Sequence, residues 1–276
     1  MQNETSIALT IAGFDPGSGA GVTADLKTFA ACHVYGVACI SALTVQSTQG
    51  VRAVEPLAPA LVRQTLDCLA DDVHLSGVKI GMLGSTGVVG EVASFLVRQS
   101  RQIPRQRIVL DPVLRSTSGA ILLEENGVRL LKTQLLSCIG WITPNIHELS
   151  ILLNEDSRPL PRDGVPVAAA RLQEQAAQLG NRELNVVITG GHLDPPDDYF
   201  RSASGEGMWF PGEKIVTHST HGTGCAFSTA LLSELISGEP PSQAVVHAKA
   251  YVTEALRTAY PVGKGKGPMN HLFRLK

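Results

Sequence analysis

The chain has 276 residues, 43% of them hydrophobic and 17% charged, with a net charge of −2 and only 5% aromatic side chains. That balance gives neither the basic footprint nor the stacking platforms of a nucleic-acid binder, so the expected partner is a small molecule. The start MQNETSIALTIAG has no basic leader region, no apolar run approaches the ~18 residues of a membrane span, and five scattered cysteines contain no C-x-x-C pair. These features predict a cytoplasmic protein with reduced thiols, without nucleic acid, membrane, disulfide or zinc.

Short β-branched runs alternate with amphipathic stretches. IALTIAG (7–13), VACISALTV (37–45), GVKIGML (77–83), RIVLDPV (107–113), GWITPN (140–145) and LNVVITGG (184–191) read as buried strands. LVRQTLDCLADDV (61–73), GVVGEVASFLVRQ (87–99), VRLLKTQLLSC (128–138) and VPVAAARLQEQAAQLG (165–180) space their apolar residues at helical intervals. The alternation implies βαβ units and a mostly parallel sheet with helices on its faces. DYFRSASGEGMWFPGEKI (198–215) predicts an antiparallel hairpin around residues 204–207, and helices over about 223–237 and 241–258 close a single domain, 1–276. The proline-rich NEDSRPLPRDGVP (154–166) is expected to be a surface loop.

In such a sheet, functional residues collect at the carboxyl ends of the strands. Gly13, Asp15, Gln46, Gly81, Met82, Asp111, Asn145, Gly190 and Gly191 fall there. STHGTGCAFSTALLSELI (219–236) puts Gly222, Thr223, Gly224 and Cys225 at the opening of a helix. Glycines there let backbone N–H groups converge on an anion, and the helix dipole adds to the attraction; a glycine-rich turn before a packed helix is the plain alternative. A thiol at a helix N-terminus has its pKa lowered, which suits Cys225 to act as a base or nucleophile.

GFDPGSGAGVTADLKTF (13–29) contains GAGVTA, which fits a dinucleotide fingerprint, yet no acidic residue lies between Asp25 and Glu55 to complete it. VGKGKGPMN (262–270) lacks the features of a Walker A loop and reads as a flexible basic turn. His147, His218 and His221 belong to no zinc motif and read as surface or hydrogen-bonded histidines. Asp25 and Gln46 could together read the ring nitrogens and amino group of a heteroaromatic compound. Asn145 and Glu148, three apart, with Asp111 at another strand end, suit either a magnesium ion held through phosphates and water or a helix capping box.

Taken together, ALTIAGFDPGSGAGVTADLKTF, ALTVQSTQGV, VKIGMLGS, VLDPV, TPNIHEL, GGH, HGTGC and VGKGKGP resemble the hydroxymethylpyrimidine and phosphomethylpyrimidine kinases of thiamine biosynthesis, within the ribokinase-like superfamily. The resemblance implies a three-layer αβα sandwich with no separate lid domain, ATP and Mg2+, and a homodimer. It implies phosphorylation of a hydroxymethyl pyrimidine and then of its monophosphate. It further implies that Gly13, Asp25, Gln46, Met82 and Val113 line the pyrimidine pocket, that Cys225 is the catalytic base, and that Gly222, Thr223 and Gly224 form the anion hole. Asn145, Glu148 and Asp111 are assigned by it to magnesium and phosphate, and Thr189 and Gly191 to ATP. Three departures stand out: Thr189 where many members carry lysine, Ala120 where an acidic residue is usual, and Ser47 where asparagine is usual. The rival on the same scaffold is a pyridoxal or pyridoxine kinase, and a rival of another kind is a non-catalytic binding protein.

Overall fold

The computed structural model describes residues 5–116, 119–155, 160–191 and 193–275. The parts of the RSTSG, proline-rich and GGH segments at Thr117, Ser118, 156–159 and His192 lie outside the described residues.

Strand β1 (Ile7–Phe14) leads through α1 (Gly21–Ala31) to β2 (Tyr35–Ser47), which turns straight back as β3 (Gly50–Pro56). Then follow α2 (Pro59–Asp72), β4 (Gly77–Ile80), α3 (Thr86–Gln99), β5 (Ile108–Leu110), α4 (Glu125–Thr133), β6 (Trp141–Ile142), α5 (Ile146–Leu152), α6 (Val165–Gln178) and β7 (Asn185–Ile188). The hairpin β8 (Asp198–Arg201) and β9 (Gly207–Phe210) precedes the long helices α7 (Thr223–Ser237) and α8 (Pro241–Arg257). The nine strands form one sheet in the order β3-β2-β1-β4-β5-β6-β7-β8-β9; β2 to β7 are parallel along that order and the outer strands antiparallel.

Alternate residues of each strand serve opposite layers. Leu9, Ile11, Val78, Ile80, Ile108, Leu110, Ile142, Val186 and Ile188 pack with α2 to α6, whereas Ala8, Val109, Trp141 and Val187 pack with α1, α7 and α8. The period of two in a twice-covered sheet thus yields three layers. No lid separate from this sandwich is evident among the described residues.

All six expected strands form, some shorter than their apolar runs, and the hairpin and closing helices fall where expected. β3 was not anticipated: VRAVEP alternates poorly and sits at the sheet edge, where it is partly exposed. Chain direction reverses its spatial progress at β1 and β4, and the crevice outside their carboxyl ends is where ligands bind in sheets of this kind.

Candidate active site

A chain of contacts crosses the carboxyl edge of the sheet from β1 to β7. It begins at Gly13, where a Cβ would come within 2.9 Å of Met82 Sδ, so the absence of a side chain there keeps room beside the thioether. Met82 packs with Ala42 and Leu122, and Val54 and Val113 lie against that cluster, so Gly13, Met82 and Val113 share one apolar patch. A recess of about 270 Å³ lined by Val54, Pro56, Gly84 and Leu122 continues it.

Gly13 also touches the start of α1, through a bridge between Phe14 and Gly21. The Gly21 N–H points in turn at the sulfur of Cys225, in the first turn of α7. The residue capping α7, Gly222, has φ +85°, and a Cβ on it would fall 1.8 Å from the carbonyl oxygen of Gly19; only glycine fits. No side chain caps this N-terminus, so its first N–H groups remain available, unlike those of α3 and α5, which Ser85 and Asn145 cap. Gly224 stands next to Asp111, 3.6 Å from its Oδ2 to the place a Cβ would take, and Ser228 Oγ lies 3.3 Å from the same oxygen.

Asp111 and Glu148 are both buried. Burial raises Asp111 to about 6, with Asp25 adding to the rise while Lys79 and Ser228 oppose it. Burial also holds Glu148 well above the ordinary carboxylate range, and the charge of Asp111 adds to the effect. Glu148 and Asn145 form a reciprocal capping box, the carboxylate accepting from Asn145 N at 2.9 Å and the amide oxygen accepting from Glu148 N at 3.0 Å. Asn145 is bridged to Thr189, which ends the line at β7. Gly191 lies past it in open space.

Two expectations need correction. Asp25 does not face an open cleft: it is fully buried and its two oxygens accept from Thr10 Oγ1 (2.6 Å), Thr229 Oγ1 (2.9 Å) and Lys79 Nζ (2.9 and 3.0 Å). Its place on the inner face of α1 brings it against the sheet, where Thr10 and Lys79 are neighbours in register. The Cys225 thiol is likewise not lowered by the helix N-terminus. Desolvation pushes it up to about 12, Asp25 and Asp111 contribute, and Lys79 and the Gly21 N–H only partly offset them.

The GAGVTA segment is no dinucleotide cradle, because its N–H groups are occupied by the chain's own carboxylate. Asp15 accepts from Gly17 N (2.7 Å), Gly19 N (3.1 Å) and Ala20 N (3.0 Å), and His221 Nε2 lies 2.8 Å from its Oδ2. Burial would raise Asp15, but the hydrogen bond and charge of His221 with these N–H groups hold it below the usual carboxylate value. The same His221 nitrogen lies 3.0 Å from Gln46 Nε2, so Gln46 joins the site through the histidine that precedes Gly222. His221 is therefore a hydrogen-bonded histidine, as its sequence context suggests. Lys79 is the site residue that the sequence reading passed over, and Asp15, named among the strand-end candidates, was given no specific role. A lone lysine inside GVKIGML was the one available signal for Lys79.

Comparison with known proteins follows the same outline. A family described as phosphomethylpyrimidine kinase matches residues 15–270. The chain is 38% identical over 268 residues to the thiamine biosynthesis bifunctional protein ThiED of Geobacter sulfurreducens, covering 96% of this chain and 52% of that protein, so it spans about half of that relative. It is also 38% identical over 268 residues to the hydroxymethylpyrimidine/phosphomethylpyrimidine kinase of Haemophilus influenzae, covering 95% of each. Among solved structures, an ADP complex of Bacillus subtilis pyridoxal kinase superposes with a TM-score of 0.82 at 29% identity, over 99% of this chain and 100% of that one. Phosphomethylpyrimidine kinase from Clostridium difficile gives 0.74 at 33% identity, over 91% and 100%.

Proposed function

The chain belongs to the phosphomethylpyrimidine kinase family, and from that premise we propose that it transfers the γ-phosphate of ATP to 4-amino-5-hydroxymethyl-2-methylpyrimidine and then to the monophosphate so formed, for thiamine biosynthesis. The observation that carries this reading is the unbroken line from the Gly13–Met82 patch, through the uncapped start of α7, to Asp111, Glu148, Asn145 and Thr189. An acceptor ring at one end and a nucleotide at the other would meet over free backbone N–H groups.

In the proposed reaction Gly13, Met82 and Val113 hold the pyrimidine, with Gln46 reading its polar edge. The N–H groups of Gly222, Thr223 and Gly224 take up charge on the phosphoryl oxygens as the acceptor oxygen bonds to phosphorus and the bond to the ADP oxygen breaks. Cys225 receives the hydroxyl proton in the first transfer, and because its thiol is neutral at rest it must first lose its own. In the second transfer the nucleophile is already an ionised phosphate oxygen. Asp25 belongs beneath this floor, where its pair with Lys79 fixes α1 and α7 to the sheet.

Asp111 and Glu148 fit a magnesium ion, since both carboxylates are buried and the charge of Asp111 raises the proton affinity of Glu148, a pairing that a cation would relieve. When bound, Mg2+ would supply positive charge against the phosphates of the nucleotide. Asn145, Thr189 and Gly191 complete the nucleotide end. ADP and AMP-PCP complexes of Staphylococcus aureus pyridoxal kinase support nucleotide binding by this scaffold. Exposed Leu43 and Val45 on β2 support a homodimer, and five free thiols support a cytoplasmic setting.

Pyridoxal kinase is the second reading, because the pyridoxal kinase scaffold superposes as well as that of the pyrimidine kinase. Magnesium-dependent ADP release with hydroxymethylpyrimidine, its monophosphate or pyridoxal, and product masses, tests both. Turnover of both pyrimidines is expected; preference for pyridoxal would replace the acceptor and keep the scaffold.

A further inference from the structure

The basic turn at 262–270 has no part in the reaction just described, yet it is fastened into the site. Lys264 N and Gly265 N each donate to Thr48 Oγ1 at 3.2 Å. A Cβ on Gly263 would come 2.4 Å from that oxygen, and one on Gly265 would come 2.1 Å from the Thr48 carbonyl oxygen, so both glycines permit the close approach. At its other end, Gly267 O accepts from His221 N at 3.0 Å. Thr48 is two residues beyond Gln46, and His221 immediately precedes Gly222. The turn is therefore a fixed strap running from the acceptor-reading amide to the anion-binding start of α7, in place of the flexible turn its composition suggests.

Lys264 and Lys266 are exposed on this strap, and their side chains are free of ion pairs and hydrogen bonds among the described residues. Two unpaired cations held at one end of a phosphate-handling site call for an anion. The sheet order says which one. β2 is five strand spacings from β7, about 24 Å at the usual separation, so the strap flanks the acceptor's end, remote from Thr189. A phosphate that meets these lysines is either the one being transferred at the start of α7 or the acceptor's, and only the acceptor's is present in one transfer and absent from the other. The two acceptors of the proposed reaction differ in this respect: the alcohol is neutral, whereas the monophosphate carries a charge of about −1.5 to −2 near pH 7.

We propose that Lys264 and Lys266 are specificity-determining residues that recognise the phosphomonoester of the acceptor and so commit the monophosphate to the second transfer. The inference rests on the two-step reading above. Its test is the double variant K264Q/K266Q, assayed with both pyrimidines and by calorimetric titration of the monophosphate without nucleotide. The ratio of kcat/KM for the monophosphate to that for the alcohol should fall at least ~10-fold, the loss of one charge-assisted contact, with a matching weakening of monophosphate binding. K264R/K266R should keep most of the ratio. An unchanged ratio, equal losses with both acceptors, or a wild-type chain that uses the alcohol alone would each overturn the inference. Wild-type protein that phosphorylates neither pyrimidine would instead overturn the two-step reading itself.

Discussion

Lys79 has no exposed surface, and its ammonium group bonds both oxygens of an equally buried aspartate. Burial alone would lower its proton affinity, but Asp25 beside it, with Cys225 and Asp111 further off, raises it, so the lysine stays charged. Removing two ions from water costs several kcal/mol each, and packed apolar residues could fill the space at least as well. Lys79 itself supplies a fixed positive charge beneath Cys225, opposed to Asp25 and Asp111, which push the thiol up. The thiol at about 12 leads to a kinetic prediction. A base must be deprotonated to act, and a raised value means that form is scarce at neutral pH. Phosphorylation of the alcohol should therefore rise with pH, about tenfold per unit, to beyond pH 9, while transfer to the monophosphate stays nearly flat above pH 7. Cys225→Ala should abolish the rising profile and spare most of the second transfer. A flat alcohol profile between pH 7 and 9 would show a thiolate already formed.

Helix α5 is short, and its start at Asn145 combines two of the uses that its sequence allowed. The capping box satisfies N–H groups at Asn145 and Glu148, and the same geometry leaves the Glu148 carboxylate facing Asp111. Asn145→Ala should cost ~1 kcal/mol of stability, read by urea unfolding without magnesium or nucleotide, and should lower the affinity for Mg·ATP. Unchanged unfolding would mean that the box adds nothing beyond the packing of Ile146, Leu149 and Leu152. Elements of this kind show what sequence makes legible. Periodicity located the strands and helices, because each is a local pattern repeated over several residues, and TPNIHEL announced its own cap. Asp25 was misread because its helical spacing says which face it occupies and not that a lysine 54 positions later waits on that face. Cys225 was misread for a related reason: a helix N-terminus is local, whereas the desolvation and the carboxylates that outweigh it come from distant segments. The edge strand β3 offered no clean alternation, and pairing with β2 made it a strand.

At the scale of the molecule, the segment after α8 returns to the first loop. His271 Nε2 donates to the Gly19 carbonyl oxygen at 3.2 Å, Tyr251 Oη donates to the His271 carbonyl at 2.6 Å, and His271 Nδ1 is buried with no partner among the described residues. Desolvation, together with the charges of Lys27 and His221, lowers His271 from 6.5 to about 4, against the Gly19 hydrogen bond and Asp25. Between those two values the unfolded chain binds a proton that the folded chain refuses. This contribution to stability is therefore complete above about pH 6.5 and disappears as the pH falls towards 4, a loss of up to ~3 kcal/mol. Urea unfolding at pH 7 and 4.5 should show a smaller difference in His271→Gln than in the wild type. Equal differences would place the acid sensitivity in other groups.

The contact between His271 and Gly19 spans 252 positions of sequence. A ribosome making this chain emits the glycine loop 252 residues before its anchor, so the loop spends that interval without the contact that holds it. The loop and the Gly222 turn packed on Gly19 should consequently settle together, once the segment after α8 has been made.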